Sequence, residues 1–143
     1  MADAGDPGFG ELREGLLSFH QAFIKAHVEN RPEFFIENKA EGYVNISRGE
    51  LLRPTDTETL EAMTDYLGNT TFTEYRILDE PKLGFSRDGS VAWSIFQLKV
   101  AGTRRLPDGS ERTFDDTWGC LFLFERRGDQ WVRLAEASNL KPE

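Results

Sequence analysis

The sequence predicts an α+β fold, with three helices followed by a curling antiparallel meander. Two observations carry this expectation. Apolar residues recur at helical spacing in stretches that run as far as Leu67, and from Phe72 onward the period drops to two, with Gly and Asp turns between the runs. Size adds a third: 143 residues make one domain with a real core and are too few for two ordinary ones.

Residues 1–9 read as a flexible polar leader, and residues 10–143 as a single domain. From Glu11, the positions Leu12, Leu16, Phe19, Phe23 and Ala26 form an apolar helical stripe, widened by Leu17, Ile24 and Val28. Asn30, Pro32 and Glu33 suit the start of a short second helix anchored by Phe34, Phe35 and Ile36. Gly42 ends that segment, and Tyr43 to Ser47 can form a strand with Val44 and Ile46 on one face. Thr55 and Glu58 form a capping box that opens a third helix carrying Leu60, Met63 and Leu67, with Gly68 as its expected terminator.

The strands come next. Phe72 to Leu78 is one, continuing past Pro81 to Phe85, and Asp88-Gly89 turns the chain. Val91 to Thr103 and Thr113 to Arg126 are long strands joined by the hairpin connection Leu106 to Ser110. Arg127-Gly128-Asp129 leads into a last strand, Trp131 to Ser138.

Composition narrows the function. Apolar residues are 38% of the chain and include eleven Phe, which argues for a packed core. No run approaches the ~20 apolar residues of a membrane helix, and the first residues lack the basic and apolar parts of a signal peptide, so no membrane role and a cytoplasmic location are expected. Cys120 is the single cysteine, which excludes an internal disulfide. A net charge of -8 with scattered arginines makes nucleic acid a poor partner. Neither a phosphate loop, a dinucleotide fingerprint nor a dense set of metal ligands is present, so no cofactor and no metal are expected.

Both faces of the central hairpin carry large apolar side chains. Pairing residues whose numbers sum to about 217 puts Trp93, Ile95, Gln97 and Lys99 on the face of Phe124, Phe122, Cys120 and Trp118. A sheet covered on one side alternates apolar and polar residues, and these strands do not. The helices can cover one face, and a homodimer formed sheet to sheet would cover the other; strong curvature burying one end of each face is the alternative. The face of Trp93, Cys120 and Trp118 is expected to look inward, and the face of Gly119, Ala135 and Ala137 outward.

The element order, together with GYVNISRGE, DGSVAWSIFQLKVAG and FLFERRGDQWVRLAEASN, resembles the nuclear transport factor 2-like superfamily, which includes ketosteroid isomerases and SnoaL-like polyketide cyclases. The resemblance spans roughly residues 10 to 139. It implies a cone-shaped fold, three helices on the concave face of a strongly curved antiparallel or mixed sheet, with a ligand pocket between them. The isomerase pattern matches in part only. Tyr43 to Ser47 holds no acidic base, the first helix has no tyrosine, and Ala135 and Ala137 stand where related members carry His.

Asp116, His27 and Glu136 are the candidate catalytic groups. Asp116 precedes the bulky run of its strand, where a carboxyl could act as an acid or donate a hydrogen bond; a solvated strand-end charge is the plainer reading. His27, near the end of the first helix, suits proton transfer opposite Asp116, or else interacts with the last carbonyls of its helix. Glu136 lies mid-strand between two alanines, expected beside Gln97 and Lys99, either as a structural ion pair or as a base. Tyr43, Trp93, Gln97, Trp118 and Phe23 are the candidate ligand-binding residues, aromatics that could equally be simple core. Cys120 reads as a small buried filler. The expected function is a pocket protein for a small apolar, carbonyl-containing molecule, as a cofactor-independent isomerase, cyclase or hydratase; the alternative is a non-catalytic dimerisation or protein-association module.

Overall fold

The computed structural model describes residues 9–142. The expected leader falls outside them apart from Phe9, which is buried with its ring 5.7 Å from that of Phe85. The elements are α1 (Gly10–Val28), α2 (Phe34–Glu37), β1 (Lys39–Ser47), β2 (Glu50–Leu52), α3 (Asp56–Gly68), β3 (Thr70–Phe85), β4 (Val91–Arg105), β5 (Glu111–Arg127) and β6 (Gln130–Leu140). The strands form one six-stranded sheet in the order β2-β1-β6-β5-β4-β3, with β1 parallel to β6 and every other pair antiparallel. The fold is α+β, with three helices packed against a curved mixed sheet that does not close.

Helix α1 buries Leu16, Phe19, Phe23 and Ala26 of the expected stripe together with both histidines; Leu12, Leu17 and Ile24 are half-buried, and Val28, at the helix end, is exposed. Its end corrects one expectation. Asn30 adopts φ 57° and terminates α1; Arg31 N–H donates to the Ala26 carbonyl at 2.9 Å, as in a Schellman motif. Asn serves equally well as a helix start or as a left-handed stop, so the residue type alone did not separate the two. The Thr55–Glu58 capping box opens α3. Asn69, with Nδ2 bonding the Asp65 carbonyl at 2.8 Å, closes that helix in place of Gly68.

The β4–β5 register corrects another. Arg105 stands opposite Glu111, so the connection is five residues and partners sum to 216. One residue of slip moves Trp93 and Gln97 away from Cys120 and Trp118. Ala92, Ser94, Phe96, Leu98 and Val100 face the helices together with Phe124, Phe122 and Cys120, all buried. Trp93, Ile95, Gln97 and Lys99 face outward opposite Leu123, Leu121, Gly119 and Thr117. Trp93, expected inside, covers Gly84 across the strand pair, leaving no space for a side chain there. Ala135 and Ala137 do lie on the outer face with Leu123 and Leu121.

Candidate functional site

Strands β4 and β5 are 15 and 17 residues long, and at their hairpin end they border a cavity of about 750 Å³. Tyr66 near the end of α3, Phe114 and Trp118 on β5 and Leu140 at the end of β6 give it apolar walls. Asp116, paired with Val100 on the inner face, lines it too and makes no salt bridge among the described residues. Among the described residues five basic side chains join the lining, Arg48, Arg104, Arg105, Arg112 and Lys141, against the two acids Asp65 and Asp116. Arg48 sits in the β1–β2 turn at φ 55°, its guanidinium 5.7 Å from the centre of the Trp118 ring. Arg104 lies 5.2 Å over Tyr66 and 3.5 Å from the Asp65 carboxylate.

Deeper in, a cluster of aromatic side chains packs between the helices and the sheet. His27 is 7% exposed, stacked on Tyr75 at 4.5 Å and packed edgewise against Phe35 at 4.8 Å. Its Nδ1 lies 2.8 Å from the Phe23 carbonyl, which requires a proton on that nitrogen. Burial, reinforced by the charge of Arg133, lowers its pKa to about 4, so the ring is neutral at physiological pH. Phe23 packs among Phe122, Phe35 and Phe19 in the same core. The expected pairing of His27 with Asp116 across a pocket is not made, because the histidine is sealed behind the aromatic layer. His20 is likewise internal: Nδ1 bonds the Leu16 carbonyl at 2.7 Å and Nε2 accepts from Ser94 Oγ at 2.9 Å.

Glu136 faces inward opposite Phe122, but its partner is Arg133 at 2.5 Å. Lys99, the expected partner, lies on the outer face and pairs with Asp115. Arg133 is 4% exposed; its Nε donates to Asn38 Oδ1 at 2.7 Å, another nitrogen donates to the Phe35 carbonyl, and the guanidinium lies 5.0 Å over Tyr43. Tyr43 is buried beside this pair, and its phenol is held neutral far above its ordinary range, first by desolvation and then by the Glu136 charge. Cys120 is pushed up to about 12 by burial, which leaves it a thiol and a poor nucleophile.

The sequence candidates therefore divide by depth. Asp116 and Trp118 line the cavity; Tyr43, Glu136, His27 and Phe23 belong to the interior; Trp93 and Gln97 lie on the outer face. The basic lining is not among the sequence-based candidates. Its signal was present in Arg104, Arg105 and Arg112, which flank one hairpin and are therefore brought together by it.

No family model and no curated protein sequence matches the chain. Solved structures do. A nuclear transport factor 2-like protein from Cytophaga hutchinsonii superposes with a TM-score of 0.71 at 15% identity, over 90% of this chain and 98% of that one. A ketosteroid isomerase-like protein from Erwinia carotovora atroseptica gives 0.66 at 14% identity, over 91% and 96%. A protein from Xanthomonas campestris, described as a candidate calcium/calmodulin-dependent protein kinase II association domain, gives 0.69 at 16% identity, over 100% and 96%. With the mixed sheet, the three covering helices and the cavity at the hairpin end already established, these superpositions identify the architecture: the chain has the nuclear transport factor 2-like fold.

Proposed function

We propose that this protein binds a small molecule with a flat apolar body in the cavity at the β4–β5 hairpin end. The carrying observation is a concavity of about 750 Å³, within the roughly 300–1,000 Å³ range of small-molecule sites, with Tyr66, Phe114 and Trp118 as apolar contacts and Asp116 as a polar group on the inner face. Proton transfer to a bound carbonyl compound, as in a cofactor-independent isomerase, cyclase or hydratase, falls to Asp116. Asp65 is engaged with Arg104 and Asn69, Glu136 with Arg133, and His27 is enclosed. A thermal-shift screen of flat carbonyl compounds tests the reading, since a ligand that binds only the folded state raises its melting temperature. Hits should lose their shift in Trp118→Ala; hits indifferent to that change would place the ligand elsewhere. For any compound turned over, Asp116→Asn should lower the rate about a hundredfold, and an unchanged rate removes Asp116 from the chemistry.

A second reading has its own support. The outer sheet face exposes Ile95 at 48% and Leu121 at 43%, bordered by Gly119 and Ala137. Small residues beside exposed aliphatic ones suit flat packing, and a twofold pairing of two such faces is self-complementary. We propose a homodimer through this face, compatible both with a ligand site and with a purely associative role.

A further inference from the structure

We infer that the ligand is an anion: an apolar body carrying one carboxylate, sulfonate or phosphate group, held between Arg104 and Arg112 at the cavity rim. The inference rests on the cavity reading above and adds the charge of the molecule that fills it. Arg104 and Arg112 stand directly opposite each other in the β4–β5 register, and both line the cavity. Like charges at directly opposed positions of an antiparallel pair destabilise the sheet, so the fold carries a local repulsion that an anion between the two guanidiniums would relieve. Among the described residues Arg104 has one carboxylate neighbour, Asp65, at 3.5 Å. Arg112 has no salt-bridge partner among the described residues, so its guanidinium remains available for a bidentate contact.

The wider lining acts in the same direction. Lys141, Arg105 and Arg48 add positive charge to a concavity with two carboxylates among the described residues, in a chain whose net charge is -8. A cleft of one sign focuses field and raises the local concentration of the opposite charge, while the acidic remainder of the surface repels extended polyanions. The aromatic walls set the other end of the ligand: Trp118, Phe114 and Tyr66 offer ring faces to a flat apolar body. A small amphipathic anion satisfies both halves of the site at once.

The test is a fluorescence titration of the full chain with two probes that share an aryl skeleton, anilinonaphthalene sulfonate, which is an anion, and phenylnaphthylamine, which is neutral. At low salt the sulfonate should bind at least about tenfold more tightly, and the gap should narrow as ionic strength approaches ~1 M. Arg112→Gln, at an exposed position, should weaken the sulfonate by about tenfold and leave the neutral probe within about twofold. Trp118→Ala should weaken both. Equal wild-type affinities, or a sulfonate affinity indifferent to Arg112→Gln, overturn the anion assignment and leave the cavity reading standing. Binding of neither probe, or binding of both unaffected by Trp118→Ala, overturns the cavity reading and this inference with it.

Discussion

Arg133 and Glu136 lie three residues apart on β6 and form an ion pair on the inner face of the sheet. Such neighbours point to opposite faces of a regular strand. Here Leu123 pairs with Ala135 while the next residue, Phe124, pairs with Arg133, so Leu134 is an extra residue and its bulge returns the side chains to one side. The pair fixes α2 to the sheet, because the same guanidinium holds the Phe35 carbonyl and the Asn38 side chain.

This arrangement predicts an asymmetric response to substitution. Arg133→Met leaves a mostly buried carboxylate and two acceptors unpaired, and should destabilise the protein by about 3–5 kcal/mol. Glu136→Gln keeps a hydrogen-bond acceptor and should be milder. The double change Arg133→Met/Glu136→Leu should recover much of the loss. Urea unfolding of the three variants reads these differences, and a double variant no better than Arg133→Met would show that the bonds to α2 dominate.

The burial of His27 predicts a dependence of stability on pH. Its folded pKa is lowered from 6.5 to about 4, so on acidification the unfolded chain takes up a proton first. Stability from this group is fully present above the unfolded value, falls as pH drops from 6.5 towards 4, and levels below that, for a total on the order of 3 kcal/mol. Denaturation midpoints across this window should show the decline, and His27→Gln should flatten it. A variant with the wild-type slope would assign the dependence to other groups.

Two glycines should differ in their response to a methyl group. At Gly84 an added Cβ would meet the Trp93 ring, a side chain able to swing into solvent on the outer face. At Gly102 it would meet the Thr71 carbonyl oxygen of the neighbouring strand, so β3 and β4 must separate. Gly84→Ala should cost about 1–2 kcal/mol and Gly102→Ala more than about 3 kcal/mol. Comparable melting temperatures for the two would mean that the strand pair yields as easily as a side chain.

The proposed dimer is open to a direct check. Leu121→Lys places a charge on the outer face at a residue that is 43% exposed, so the monomer should keep most of its stability while dimerisation falls. Sedimentation of wild type and variant reads the outcome. A wild type that sediments as a monomer at all accessible concentrations eliminates the interface.

How far the sequence could be read depended on the range of the signal. The α1 stripe and the Thr55–Glu58 box are local patterns, and both appear in the structure. The face assigned to each β4 residue depends on whether the hairpin loop has four residues or five, a choice that Gly109 permits either way, and Trp93 and Gln97 moved from inside to outside on that point alone. Edge strand β2 was missed because its three residues Glu50–Leu52 are too few to show a period. The Arg133–Glu136 pair was hidden by the bulge, whose existence depends on neighbours remote in sequence. Asp116 and Trp118 were legible as cavity residues because their strand positions follow from parity within β5. Arg48 was not, since it reaches Trp118 only through tertiary closure.

Placement of β6 between β1 and β5 has a consequence for synthesis. The final strand is the central stave of the sheet, and before it emerges the chain holds two separate fragments: a small β2–β1 pair and a three-stranded β5–β4–β3 ribbon. Each then presents an unpaired edge to the cell, where bare strand edges invite mispairing. Any nascent or truncated chain lacking residues 130–140 should therefore depend on chaperone protection, because the strand uniting its two halves follows both of them in the sequence.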